Sequence, residues 1–148
     1  MYYYDNIFCI VIYMHEIKDK REQKLFNKTT YSNFNKREVL KQLHLSILNS
    51  KLEDSINWSA ELICSGHFIE IWDVILLITC KHIHLGNPKL CIYIDKQFKD
   101  FKQIIKDYIG FELVLRNNEQ IRYLFFENIS SSFELILIEI SSFKIQLL

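Results

Sequence analysis

Glycine and proline, the residues that most often interrupt regular structure, occur at only four positions: Gly66, Gly86, Pro88 and Gly110. Each glycine follows a run of apolar residues at helical spacing. The residue after a helix often adopts the left-handed conformation, which glycine enters at no steric cost. The chain is therefore predicted to fold mainly into helices that end at these breaks.

Two helices are predicted before the third, and short connections separate them. Asn35 followed by Glu38 is typical of a capped helix start, and Val39 to Leu48 then repeat at helical spacing. A second helix is predicted to begin near Glu53–Asp54, whose carboxylates suit the positive end of the helix dipole, and to stop at Gly66.

Three further helices complete the prediction. One runs from about Phe68 to His84 and is apolar on almost every side, which places it in the centre of a bundle. The next lies between Pro88 and Gly110, with the lysines at 96, 99, 102 and 106 on its solvent side. The last opens with Asn117 and Gln120.

The fold class predicted is mainly all-α: a compact bundle of about five to six helices. Residues 111–115 are assigned to a short extended or turn segment. Short strands or extended segments remain alternatives at both termini, although the first half of 133–148 favours helix. Residues 1–30 are interpreted as an apolar and basic segment for which partial disorder is one reading, and residues 31–148 as a single helical domain.

The stretch KHIHLGNPKL holds the only proline and one of the glycines. Gly86 is predicted to end a helix, Asn87 to cap the next one, and Pro88 to occupy its first position, where a missing N–H does no harm. A helix–helix corner is favoured over an anion site. The residues assigned to this corner and to the helices leading into it are Trp58, Gly66, Trp72, His84, Gly86, Asn87 and Pro88.

No catalytic motif is present: the sequence contains no GxxxxGK[ST], GxSxG, HExxH or CxxC. A zinc site was considered at Cys64, His67, Cys80 and His82, because thiolates and imidazoles are the ligands that zinc prefers. Their spacing is poor, and buried thiols with histidines at helix ends are the favoured interpretation. We predict no enzyme activity and no cofactor.

The charges balance overall, eighteen basic against eighteen acidic, but residues 18–41 carry eight Lys or Arg and three acids. Lys20, Arg21, Lys36 and Arg37 are the candidate contacts if this segment binds nucleic acid, and a solvated basic segment is the alternative. Arg116 and Arg122 flank the aromatic group around Phe125 and are a second candidate, with core packing as the alternative for those aromatics.

The four cysteines lack the spacing of a disulfide framework, so free thiols in an intracellular, reducing compartment are expected. The apolar run 7–14 is too short to span a membrane, and no membrane partner is predicted.

Two resemblances add to this reading. The segments Trp58–Phe68, Ile71–Trp72, Lys81–Leu90 and Arg116–Glu127 are similar to a family of proteins from nucleocytoplasmic large DNA viruses (giant viruses), a family to which no activity is assigned. The match covers roughly residues 36–128. It implies a viral protein acting in the host cytoplasm or a viral factory.

Residues 48–88 also resemble the C-terminal helical collar of clamp-loader-type AAA+ proteins related to RarA. The residues that carry this likeness are Trp58, Ala60, Leu62, Gly66, Ile83, Leu85, Asn87 and Pro88. In that family the collar joins subunits, while the ATPase module of the family has no counterpart in this sequence. The resemblance implies a non-enzymatic protein-interaction or assembly module, associated with DNA replication or repair, whose partner is another protein or a second copy of the chain. A nucleic-acid-binding protein is the runner-up, and a zinc-stabilised domain is a third reading.

Overall fold

The computed structural model describes residues 16–83 and 88–146. Most of the residues in this part of the chain are helical and it contains no strand, which confirms the all-α prediction. The six α-helices are α1 (Lys36–Leu48), α2 (Leu52–Cys64), α3 (Phe68–Ile78), α4 (Pro88–Ile105), α5 (Glu112–Leu115) and α6 (Glu119–Gln146). The apolar run 7–14 and the corner residues His84, Gly86 and Asn87 lie outside the described residues.

The first three helices start and stop for local reasons. The Asn35 side chain accepts hydrogen bonds from the backbone N–H groups of Arg37 and Glu38, so the predicted cap of α1 is confirmed. Both α1 and α2 end in a Schellman motif, in which a left-handed residue turns the chain out of the helix. Ser50 fills that position after α1 with φ 58°, and Gly66 fills it after α2 with φ 76°.

Helix α3 continues into a turn of π-helix, Thr79–Ile83, instead of remaining α-helical to His84. A π-helical turn contains one residue more than an α-helical turn, and it occurs where the helix has to accommodate that extra residue. Helix α4 begins at Pro88, the predicted position, and the four lysines predicted for its solvent side are exposed.

Of the residues 111–115, predicted to be a short extended or turn segment, residues 112–115 form one turn of helix, α5. One prediction near the C-terminal helix was wrong. The residue whose side chain caps α6 is Asn118, which accepts from the N–H of Ile121, and not Asn117. Helix α6 then runs to Gln146, so the ambiguous stretch after residue 133 is helical as far as this residue.

Five aromatic rings from α3, α4 and α6 form the centre of the core. Trp72 is 1% exposed, and its ring centroid lies 5.2 Å from that of Phe98, 5.6 Å from Phe101 and 5.4 Å from Phe125. Phe68 stacks on Phe125 at 6.0 Å. Such tilted and offset ring pairs stabilise beyond the area that they bury, so these rings fix how the three helices pack.

Residues 16–35 pack on this bundle without forming a long helix. Phe26, in the short 3-10 helix Gln23–Phe26, is 1% exposed, and Thr30 is fully buried. The carboxylate of Glu61 on α2 accepts from the Thr30 hydroxyl at 2.7 Å and from the backbone N–H of Ser32. We call residues 16–35 the N-terminal strap, since it joins α2 to the start of α6.

Candidate functional site

The two arginines that flank the aromatic group are buried and serve the fold. Arg116 is 3% exposed and donates to the backbone carbonyl of Cys64 at 3.3 Å. Arg122 is 5% exposed and donates through Nε to the carbonyl of Arg116 at 2.6 Å and through NH2 to Asn117 Oδ1 at 2.9 Å. Guanidinium groups held in this way are not a surface on which nucleic acid can stack.

Arg21 is likewise engaged within the chain. Its guanidinium donates to the Asp19 carboxylate at 2.6 Å and to the carbonyl of Tyr31 at 2.8 Å, and it lies over the ring of Phe26 at 4.7 Å. These contacts hold the pKa of Asp19 below its ordinary value, chiefly through the side-chain hydrogen bond from Arg21. Asp19 Oδ2 is also 3.9 Å from Arg116 NH1, so the strap and the bundle share this ion pair.

Of the other three candidate basic residues, Lys36 is paired with an acidic residue, and Lys20 and Arg37 are exposed. Lys36 Nζ lies 3.1 Å from Glu70 Oε1 and is half-buried. Arg37 lines a polar cleft of about 450 Å³ together with Asn27, Lys28, Asn35 and Lys36. Of the four candidate residues in the strap and α1, Lys36 and Arg37 lie together in this cleft, whereas Lys20 and Arg21 do not line it.

The candidate zinc ligands that the structure describes do not form a metal site. His67 is 4% exposed, and its Nε2 donates to the carbonyl of Thr29 at 3.1 Å while Nδ1 faces Glu70 Oε1 at 3.7 Å. Cys80 is exposed on the π turn, and the side chain of His82 lies outside the described part. Across residues 16–83 and 88–146 no three His, Cys, Asp or Glu side chains are grouped to hold a metal ion.

The thiol of Cys64 has no feature of an activated nucleophile. It is half-buried at the end of α2, and burial raises its pKa to about 11. A nucleophilic cysteine needs the opposite shift, since the thiolate is the reactive form.

Of the corner residues that the structure describes, Trp72 lies in the core and Gly66 lies in the turn after α2. Trp58 is half-buried on α2, and its ring meets that of Phe34 edge-on at 5.7 Å. Pro88 is exposed at the first position of α4. These residues shape the bundle and the strap.

Several exposed apolar side chains lie in the segment between α4 and α6. Within seven residues, Tyr108 is 36% exposed, Ile109 82%, Phe111 65% and Val114 57%. Gly110 between them has φ 86°, and the space around its Cα is open. The next residue along, Leu115, is 3% exposed and anchors α5 in the core. We call Tyr108, Ile109, Phe111 and Val114 the apolar knob.

An apolar groove of about 430 Å³ lies between α1 and α3. Its walls are Leu40, Leu45, Leu48 and Val74, with Lys41 and His44 at its rim. Leu45 is 40% exposed in it. Leu40 and Leu48 are half-buried and Val74 is 8% exposed, so Leu45 supplies most of the exposed apolar surface of the groove.

Neither the knob nor the groove was predicted from the sequence. The signal for the knob was present, since the helical period of α4 ends at Ile105 and large apolar residues nevertheless continue through YIGFELV. The groove gave no such signal, because its residues belong to ordinary amphipathic stripes.

None of the described helices is both long enough and apolar enough to cross a lipid bilayer. Comparisons with protein-family models, curated proteins and solved structures found no match to the chain.

Proposed function

We propose that this chain is a helical protein-interaction module that performs no catalysis itself. The observation that carries the proposal is the apolar knob, in which four large side chains are exposed in a segment that Leu115 joins to the core. Leaving such side chains exposed forgoes roughly 25 cal/mol for each Å² of apolar surface that could be buried. A partner that covers them recovers this free energy, and aromatic and branched side chains at the centre of an interface contribute most of its affinity.

The resemblance to clamp-loader collars and to giant-virus proteins supports a more specific form of the proposal. In this more specific form, the module joins protein assemblies that act in viral DNA replication or repair.

The test is to immobilise the chain, expose it to extracts of infected host cells, and identify retained proteins by mass spectrometry. Each retained protein is then purified and its direct binding measured by calorimetry. Wild type is expected to bind a partner that Phe111→Glu loses and that Ile92→Glu retains, because Ile92 is 73% exposed on α4 outside the knob. Equal binding by all three chains would refute the knob as the binding surface.

A second candidate, nucleic-acid binding, is favoured by the polar cleft at the start of α1. Lys28 and Arg37 are exposed beside it, and phosphate contacts by such groups weaken steeply with salt. Lys28→Ala with Arg37→Ala should reduce the affinity for a labelled single strand and flatten its salt dependence. Arg122→Ala is unsuitable for this purpose, since it removes a buried structural contact.

A further inference from the structure

We propose that the apolar run of residues 7–14 docks on the apolar knob of the same chain and covers it until a partner displaces the run. The inference rests on the proposed function, because it adds a regulator to the same surface. It depends on where the chain is attached beside the knob, on the composition of the run, and on the exposure of the knob among the described residues.

The attachment point of the run lies beside the knob. Asn117 binds both backbone groups of Ile17, so Ile17 is fixed at the start of the strap. The N–H of Asn117 in turn lies 3.4 Å from the carbonyl of Val114, which places the last residue of the knob one turn from this point. The residues that precede Ile17 are therefore tethered next to the knob.

The run is close enough to reach the whole knob. Met14, its last residue, precedes Ile17 by three residues, so at about 3.6 Å per residue it lies within roughly 11 Å of Ile17. An extended run of eight residues spans at most about 29 Å, whereas the four side chains of the knob lie within seven residues. A short tether of this kind gives the contact an effective concentration on the order of millimolar.

The run and the knob are alike in chemistry. The run reads IFCIVIYM, in which every residue is apolar or aromatic and none is charged. In the knob, Ile109 is 82% exposed and Phe111 is 65% exposed, and no described residue covers them. Contact between the run and the knob removes apolar surface of both from water, which the hydrophobic effect favours.

The other surfaces open to the run are weaker candidates. The groove between α1 and α3 owes its exposed apolar surface mainly to Leu45, and neither Ile17 nor Asn117 lines it. The knob of a second copy has the same chemistry, but the run would have to bind it without the advantage of the tether. The knob of the same chain is therefore the favoured site.

The run and a partner compete for the same side chains. A partner that binds the knob has to displace the run, so its apparent affinity falls in proportion to the fraction of chains in which the knob is free. Substitutions that weaken the run should consequently raise the apparent affinity for the partner, although they change no residue of the interface.

Photocrosslinking of the full chain tests the docking. Phe111→p-benzoylphenylalanine places a crosslinker in the knob, and Ile92→p-benzoylphenylalanine is the matched control, since Ile92 is 73% exposed outside the knob. Mass spectrometry of the peptides is expected to show crosslinks from position 111 to residues 7–14 within one chain, at a yield independent of protein concentration. Position 92 should give none.

Substitution in the run tests whether its apolar side chains are responsible. Ile10→Glu with Ile12→Glu should lower the crosslinking yield from position 111 at least about fivefold, because carboxylates lose hydration against the knob. The same pair of substitutions should raise the fluorescence of the apolar dye ANS, which binds exposed apolar surface. Adding Phe111→Glu should remove this increase, whereas adding Ile92→Glu should not. Circular dichroism verifies that each variant folds.

Three results would overturn the inference. Crosslinks from position 111 that miss residues 7–14 would exclude docking on the knob. Crosslinks that form only between two chains, with a yield that rises with concentration, would identify a second copy as the occupant. An ANS increase that persists after Phe111→Glu would place the run on another surface, such as the groove. The proposed function is tested separately, since it fails when a partner binds wild type and Phe111→Glu equally.

Discussion

Ile17 and Asn117, one hundred residues apart in the chain, exchange two hydrogen bonds. The N–H of Ile17 donates to Asn117 Oδ1 at 2.7 Å, and Asn117 Nδ2 donates to the carbonyl of Ile17 at 2.9 Å. The amide side chain thus pairs with both backbone groups of one residue, as a neighbouring strand would. Because Asn117 Oδ1 also accepts from Arg122, this one side chain joins the strap to the buried Arg122 near the start of α6.

Replacement of Asn117 by alanine is expected to lower the free energy of unfolding by about 1–3 kcal/mol, since partly buried donors and acceptors lose their partners. Urea unfolding at neutral pH measures the change. Asn57→Ala, on the exposed side of α2, is the matched control and should change stability by less than about 0.5 kcal/mol. Equal effects of the two substitutions would show that the Ile17 contact contributes nothing.

The two Schellman turns allow a paired test of backbone strain. Ser50 and Gly66 occupy the same left-handed position after α1 and α2, and a residue with a Cβ pays roughly 1–2 kcal/mol there. Ser50→Gly should therefore raise the melting temperature by a few degrees, and it also removes a buried hydroxyl without a partner among the described residues.

Gly66→Ser is the reciprocal change and should lower the melting temperature. Its Cβ would lie 2.8 Å from Gln23 Oε1, so the end of that flexible side chain must also move. If Ser50→Gly lowers stability, unfolded-state entropy outweighs the strain at this turn.

The helices were predictable because their cause is local. The spacing of apolar residues, the cap at Asn35, and Gly66 and Pro88 at helix ends are all visible in one stretch of sequence at a time. The prediction of the residue that caps α6 failed because two adjacent residues fit the same capping pattern. Asn117 and Asn118 are both good caps, and only the approach of Ile17 from a distant segment decides which of them is free to serve α6.

The roles of the basic residues were not predictable in the same way. Arg21, Arg116 and Arg122 resemble surface cations when each is read with its neighbours in sequence. Arg21 and Arg122 bind Asp19 and Asn117, which lie close to them in sequence, but nothing in those short stretches shows that the pairs form. Arg116 donates to the carbonyl of Cys64, which belongs to a distant segment, so its burial is a property of the tertiary structure. The groove is hidden for the same reason, since its walls belong to α1 and α3.

The thiols should differ in their rates of alkylation. With its pKa raised to about 11 by burial, Cys64 holds only about one thiolate in a thousand at pH 8, whereas Cys80 and Cys91 are exposed. Iodoacetamide should therefore label Cys80 and Cys91 at least about tenfold faster than Cys64, as followed by peptide mass spectrometry. Denaturation in urea serves as the control and should remove the difference. Equal labelling of the folded protein would contradict the burial of Cys64.

Acid should weaken the contact between the strap and the bundle through Asp19. Its pKa is lowered in the folded state from the ordinary 3.8, so its contribution to stability is complete above that pH and is lost as the pH falls through the lower, folded-state value. The difference in unfolding free energy between wild type and Asp19→Asn should be largest near pH 6 and shrink below about pH 4. A difference that stays constant across this range would mean that Arg21 does not bind the carboxylate preferentially in the folded state.

The position of the strap also has a consequence for the order of folding. Helices α1 to α3 can form from neighbouring segments, whereas the bond from Ile17 to Asn117 closes a loop of one hundred residues. Loop closure of this length costs conformational entropy before any contact compensates for it, so contacts of large sequence separation form late. Amide hydrogens of residues 16–22 should consequently exchange with solvent before those of α3 do, and a nascent chain cannot complete this domain until residue 117 has left the ribosome.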